Sequence, residues 1–165
     1  MLSQLKFRGP LTKFGLSIAL VIFLIDQGHK WLMILGIGIK TGDVITLTPY
    51  LDVVMVWNKG ISFGLFQQTS TVGRAILLAI ALVTCLILIV WLARTSHKLV
   101  ALALGLLIGG ALGNALDRVV HGAVADFFSL HAFGFYWYVF NLADVAVVAG
   151  VALLLYDSIM RRDEA

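Results

Sequence analysis

Residues 75–93, AILLAIALVTCLILIVWLA, and residues 99–116, LVALALGLLIGGALGNAL, contain no charged side chain and are separated only by Arg94-Thr95-Ser96-His97-Lys98. A membrane-spanning helix needs about 20 mostly apolar residues, so each run is long enough to cross a bilayer. Working outward, a third span runs from Leu11 to about Leu35, provided that Asp26 and Lys30 sit near one membrane face. A fourth runs from about Tyr138 to Tyr156 and carries Asp144 inside it.

Composition agrees with a lipid-embedded chain. Of 165 residues, 61% are hydrophobic and 13% charged, and the mean hydropathy is +1.00. A soluble domain carries about 25% charged residues, because its surface must face water. The net charge of +3 does not point to nucleic acid, since the basic residues stand singly at the ends of apolar runs and form no patch. The single cysteine, Cys85, lies mid-run and reads as packing; no disulfide or zinc site can form within one chain. Lys6, Arg8 and Lys13 before the apolar run resemble a secretory leader, but no small-x-small cleavage site follows, so this segment is expected to be retained.

Lysine and arginine favour cytoplasmic flanks. With four spans, Lys6, Arg8, Lys13, Arg94, Lys98, Arg161 and Arg162 fall on one side with both termini, which predicts cytoplasmic N and C termini. Asp26, Asp117 and Asp144 then all approach the outer leaflet. Between the first two spans, Val44-Ile45-Thr46-Leu47-Thr48, Pro49 and Leu51 to Trp57 are rich in β-branched residues and are followed by a turn-like Asn58-Lys59-Gly60. That pattern predicts a small antiparallel sheet at the outer surface, too small to fold alone and resting on the bundle. The aromatic residues between Phe127 and Tyr138 suit the headgroup region. Gly105, Gly109 and Gly113 recur every four residues and predict close helix packing.

Ionisable groups at membrane depth cost several kcal/mol, which makes each a candidate for function. Asp26 and Lys30 lie one turn apart and can pair; Asn114, Asp117 and Arg118 share a helical face, as do Asn141 and Asp144; Asp126 lies in an extended segment beyond the third span. His29, His97, His121 and His131 lack the spacing of a zinc site, and Ser62 has no identifiable base. Two adjacent carboxyls are a different case, because like charges in a low dielectric share one proton, so that one acid polarises a carbonyl while the other activates water. For Asp26 with Lys30, and Asp117 beside Arg118, an ion pair is the simpler account. Asp126 and Asp144 have no adjacent cation and are the better pair, although spacing does not show that they meet. A small transporter and a non-enzymatic scaffold are the competing classes; a transporter should carry acids through the bilayer, whereas these cluster toward one face.

The segments Asp26-Gln27-Gly28-His29-Lys30, Trp57-Asn58-Lys59-Gly60-Ile61-Ser62-Phe63-Gly64, Gly109 to Arg118, Val124-Ala125-Asp126-Phe127 and Phe140-Asn141-Leu142-Ala143-Asp144, taken in this order, closely resemble the bacterial lipoprotein signal peptidases, or signal peptidase II. The resemblance implies a membrane all-α four-helix bundle with a small extracytoplasmic β-cradle at about 40–68, forming a single domain over 1–165. It implies an aspartic endopeptidase of the bacterial cytoplasmic membrane that cuts the signal peptide just before a diacylglyceryl-modified cysteine. On the matching positions Asp126 and Asp144 are catalytic, Asp117 is structural, and Asp26, Lys30, Asn58, Gly60, Asn114, Arg118, Asn141 and Ala143 line or support the site. The implied partners are the lipidated prolipoprotein and membrane lipids, with no metal, no organic cofactor and no evident obligate protein partner. Ile61-Ser62 departs from the family, in which small apolar residues such as alanine are common after the glycine.

Overall fold

A computed structural model describes residues 9–60 and 70–162. Among the described residues four helices are long and apolar enough to cross a membrane. Helix α1 (Thr12–Trp31) continues as a π-helical stretch, Leu32–Ile37; α2 spans Thr71–Leu92, α3 Lys98–Val120 and α4 Leu142–Arg162. Between α1 and α2 lie strands β1 (Val44–Thr48) and β2 (Leu51–Asn58), and between α3 and α4 lie β3 (Val124–Ala132) and β4 (Phe135–Tyr136). The four strands form one antiparallel series in the order β1-β2-β3-β4. Alternating crossings put both strand pairs at the same end of the bundle.

The central helix is α3, packed by α1, α2 and α4. Its glycines make that possible. A Cβ at Gly109 would stand 2.6 Å from the Ala19 carbonyl oxygen of α1, and one at Gly110 2.5 Å from the Ala143 oxygen of α4. Opposite faces of one helix thus carry backbone-to-backbone contacts, and Gly105 and Gly113 extend the first of them along α1. Around them Ala19, Leu92, Ala101, Leu104 and Ile108 form the membrane core, and Cys85 is buried. Residues such as Ile76, Ile80, Val83 and Leu86 on α2 face outward, as lipid contact demands. The sheet rests on the π-helical end of α1, where Met33 and Ile39 pack with Val53, Met55, Ala125 and Phe127.

Several limits differ from the sequence reading. The third helix continues a full turn past Leu116, because Asp117 and Arg118 both find partners inside the fold. The second starts at Thr71, where the Ser70 side chain accepts from the Gly73 N–H. The fourth begins at Leu142 rather than Tyr138. Its approach is held extended by Phe140, whose N–H donates to the Phe128 oxygen and whose oxygen accepts from the Phe127 and Phe128 N–H groups. The expected sheet at 44–57 is present, but its central partner, β3, comes from 124–132, where the sequence reading placed an extended segment around Asp126 without joining it to the sheet. Ile61 and Ser62, and the rest of 61–69, lie outside the described residues, as do Lys6 and Arg8.

Candidate active site

Asp126 sits near the start of β3, opposite Val56 of β2, beside a register shift between Val53 and Val56. Such a bulge re-aims the side chains next to it. Asp144 sits in the first turn of α4. The Phe128–Phe140 pairing brings the two segments together. Asn141 then joins them: its Nδ2 donates to Asp126 Oδ1 at 2.7 Å, and its Oδ1 accepts from the Asp144 N–H at 2.9 Å. The Asp144 Oδ2 accepts in turn from the Asn141 N–H at 3.2 Å. This is a reciprocal capping box, which starts α4 and orients an acid in one arrangement. Asn58 Nδ2 donates to the other Asp126 oxygen at 3.1 Å, and Asn114 Nδ2 to the other Asp144 oxygen at 2.9 Å. Each of the four carboxyl oxygens accepts one N–H bond, which leaves lone pairs free for a shared proton and a water.

Asp126 is almost fully buried, at 2% exposure. Burial, and secondarily the negative charge of Asp144, push its carboxyl up to about 7 against the opposing bonds from Asn58 and Asn141 and the charge of Lys30. A carboxyl raised in this way is partly protonated at neutral pH.

A second layer anchors the backbone next to each acid. Lys30 Nζ lies 2.9 Å from Asp26 Oδ2, 2.8 Å from Asp117 Oδ2 and 3.2 Å from Asn114 Oδ1, so its three protons are all engaged. Asp26 Oδ1 accepts from the Ala143 N–H at 3.0 Å, one residue before Asp144. Asp117 Oδ2 accepts from the Ala125 N–H at 3.1 Å, one residue before Asp126. The two supporting aspartates therefore do the same job on the two halves of the pair, with one lysine between them. Asp26 also sits at the positive end of the α4 dipole, where an anion is favoured.

The expected Asp26–Lys30 pair is present, whereas the expected Asp117–Arg118 pair is not. Consecutive helical residues point in different directions. Asp117 turns to Lys30, and Arg118 donates to the backbone oxygens of Gly60 at 2.9 Å and Asn114 at 3.1 Å. Gly60, whose N–H donates to Asn58 Oδ1 at 2.9 Å, is thereby fixed beside the pair. All eleven residues singled out from the sequence belong to this network. The sequence reading missed Gln27, whose Nε2 reaches Asp26 Oδ2, Asp117 Oδ1 and the Gly113 oxygen. Its only signal was its place between Asp26 and Lys30. Among the described residues no group of three or more His, Cys, Asp or Glu side chains could hold a metal ion.

Comparison with known proteins gives this geometry a family. The model for Signal peptidase (SPase) II matches residues 18–160. A lipoprotein signal peptidase of Methylocella silvestris is 50% identical over 145 residues, covering 88% of this chain and 85% of the relative. That of Nitrobacter hamburgensis is 45% identical over 155 residues, covering 92% and 94%. A bacterial membrane enzyme solved by the in meso method superposes with a TM-score of 0.82 at 25% identity, covering 92% of this chain and 91% of the other. A second gives 0.75 at 27% identity, covering 88% and 92%. With the family model matched across most of the chain, and with relatives near half identity along almost their full length, this membrane protein belongs to the signal peptidase II family of peptidases.

Proposed function

We propose that the chain is an aspartic endopeptidase that removes the signal peptide from diacylglyceryl-modified prolipoproteins, cutting just before the lipidated cysteine. The observation that carries this reading is the pair of buried Asp126 and half-buried Asp144, joined by Asn141 at the sheet end of the bundle. Asp126 holds the shared proton at neutral pH and gives it to the scissile carbonyl oxygen. Asp144 takes a proton from the attacking water, whose oxygen bonds to the carbonyl carbon. On collapse the C–N bond breaks, the leaving amine takes the proton from Asp144, and a proton returns to Asp126. Water is added across the peptide bond and both acids regain their starting forms.

The depth of the pair fits the substrate. Two acyl chains keep a lipidated cysteine in the bilayer, so its peptide bond stays at the interface. The basic flanks favour cytoplasmic termini, with Arg94 and Lys98 on the same side, and this supports a sheet and acid pair facing the extracytoplasmic side of the cytoplasmic membrane. Asn58, Gly60, Asn114, Arg118, Asn141 and Ala143 line or support the site; Asp26, Lys30 and Asp117 hold it in place. The test is incubation of purified protein with a diacylglyceryl-modified prolipoprotein and, in parallel, with the unmodified precursor. Cleavage of the modified form alone is expected; cleavage of neither overturns the reading.

A further inference from the structure

On the other side of α3 from the acid pair lie two hollows. Helices α1 and α2 each pack on α3, and between them runs a furrow of about 510 Å³, lined by apolar side chains including Leu20, Phe23, Leu78, Leu82, Leu112 and Leu116. At the sheet end lies a cavity of about 620 Å³, lined by Trp57, Lys59, Arg74, His121 and Gly122 among others. The two share no lining residue but follow one another along α2. Arg74, which lines the cavity, stands one turn before Leu78, which lines the furrow, on the same face of α2.

The cavity holds cations without a counter-charge. No carboxylate lines it, Lys59 and Arg74 form no ion pair among the described residues, and residues 61–69 contain no acidic side chain. Asp43, near the rim in sequence, is engaged by the Lys40 N–H at 2.7 Å. Arg74 also lies in the first turn of α2, which has no acid of its own, so the positive end of that helix dipole adds to the field. Gly122, at φ +73°, gives the guanidinium its place: a Cβ there would collide with Arg74 Nη1. Trp57 and His121 pack with ring centroids 5.0 Å apart and planes tilted by 46°, and both line the cavity.

We propose that these hollows form one phospholipid-binding site, with the headgroup phosphate held by Lys59, Arg74 and His121 and an acyl chain lying in the α1–α2 furrow. An apolar channel at membrane depth that ends in uncompensated cations at the interface is complementary to an anionic phosphate on a hydrocarbon chain. A neutral diacylglyceryl group fills the furrow and leaves the cations unanswered. The site is separate from the acid pair, and its test requires no peptide cleavage.

The experiment is a native mass-spectrometry titration of the full-length protein, stripped of lipid in detergent, with three probes. These are dioleoyl phosphatidylglycerol, dioleoylglycerol, which has the same chains without phosphate, and inorganic phosphate. Retention of the phospholipid alone is expected. Lys59→Gln with Arg74→Gln should weaken it about thirtyfold, since each basic residue near a membrane surface contributes roughly a fivefold factor. Lys59→Arg with Arg74→Lys, which keeps both charges, should bind like the parent, and Leu82→Trp should weaken binding by filling the furrow. Equal retention by the parent and the charge-removed protein overturns the proposal, as does dioleoylglycerol binding as tightly as the phospholipid. Inorganic phosphate held as tightly as the lipid reduces the site to a free-anion site and overturns it equally.

Discussion

Replacing Lys30 by methionine tests whether the acid pair is held from behind. The lysine is within 2.9 Å of Asp26 and 2.8 Å of Asp117, and the three side chains are 3%, 0% and 4% exposed, respectively. Methionine keeps much of the volume and removes the charge, leaving two buried carboxylates without their cation. Breaking a buried pair by deleting one partner costs about 3–5 kcal/mol. In a chain of this size each kcal/mol moves the unfolding midpoint by roughly 2–4 °C, so the loss should be on the order of 10 °C. Thermal unfolding in a fixed detergent at pH 7, followed by tryptophan fluorescence, reads it directly. Turnover should also fall at temperatures where the variant is folded, because Asp26 and Asp117 hold the Ala143 and Ala125 N–H groups next to the acids. Adding Asp26→Asn and Asp117→Asn to Lys30→Met should recover more than half of the lost temperature. The orphan charges go while the amide oxygens still accept from those N–H groups, so the three changes are strongly non-additive. The reasoning fails if Lys30→Met melts within about 2 °C of the parent, or if the triple variant melts at the sum of the single losses.

Asp126→Asn and Asp144→Asn should each abolish most turnover in a folded, inserted protein, with little further loss in the double variant, because the two groups act as a unit; near-normal cleavage by either folded single variant would sink the two-acid mechanism. Activity should follow a bell in pH whose alkaline limb has its midpoint near 7, where Asp126 loses the shared proton; turnover flat between pH 6 and 9, measured on one lipidated substrate, contradicts it. The same raised carboxyl binds its proton more tightly folded than unfolded, so its contribution is neutral below about pH 4, grows more destabilising as pH rises from there, and is complete once pH exceeds the folded value of about 7. Asp126→Asn should therefore raise the unfolding midpoint at pH 8 and leave it unchanged at pH 3.5. Gly109→Val forces a side chain against the Ala19 carbonyl and should cost about 1–3 kcal/mol, read as a lower midpoint with intact chemistry in the fraction that folds. Reporter fusions after Thr95 and at the C terminus should read cytoplasmic and fusions near Lys59 and His121 external; a cytoplasmic reading at His121 defeats the orientation.

What the sequence disclosed was the solvent and the misfits within it. Apolar runs of bilayer length mark the helices, and aspartates within or beside them stand out because lipid gives them no water to face. Neighbours close along the chain were legible too, including Asp26 with Lys30 and the Asn141–Asp144 turn. Pairings made across the fold were not. Nothing local tells Asp117 to ignore Arg118 and turn to Lys30, because that choice depends on how α1 and α3 pack. The strand at Val124–Ala132 was legible only as an extended segment around Asp126, for a related reason: its residues are buried on both faces near its start, which erases the alternation that marks a half-exposed strand. Gln27 was quoted but given no role, since a buried amide announces itself only through partners that are distant in sequence.

The position of the lysine hub has a consequence for biogenesis. Its cation and one carboxylate come from α1, its second carboxylate from α3, which follows in synthesis, and Asp144 from α4, which follows both. Asp126 lies on a strand whose alignment depends on Phe140, just upstream of that last helix. No intermediate that lacks α4 contains the complete constellation, so the two acids are brought together only once that helix has entered the bilayer. The architecture acts as an interlock, in which insertion of α4 and assembly of the acid pair are the same event.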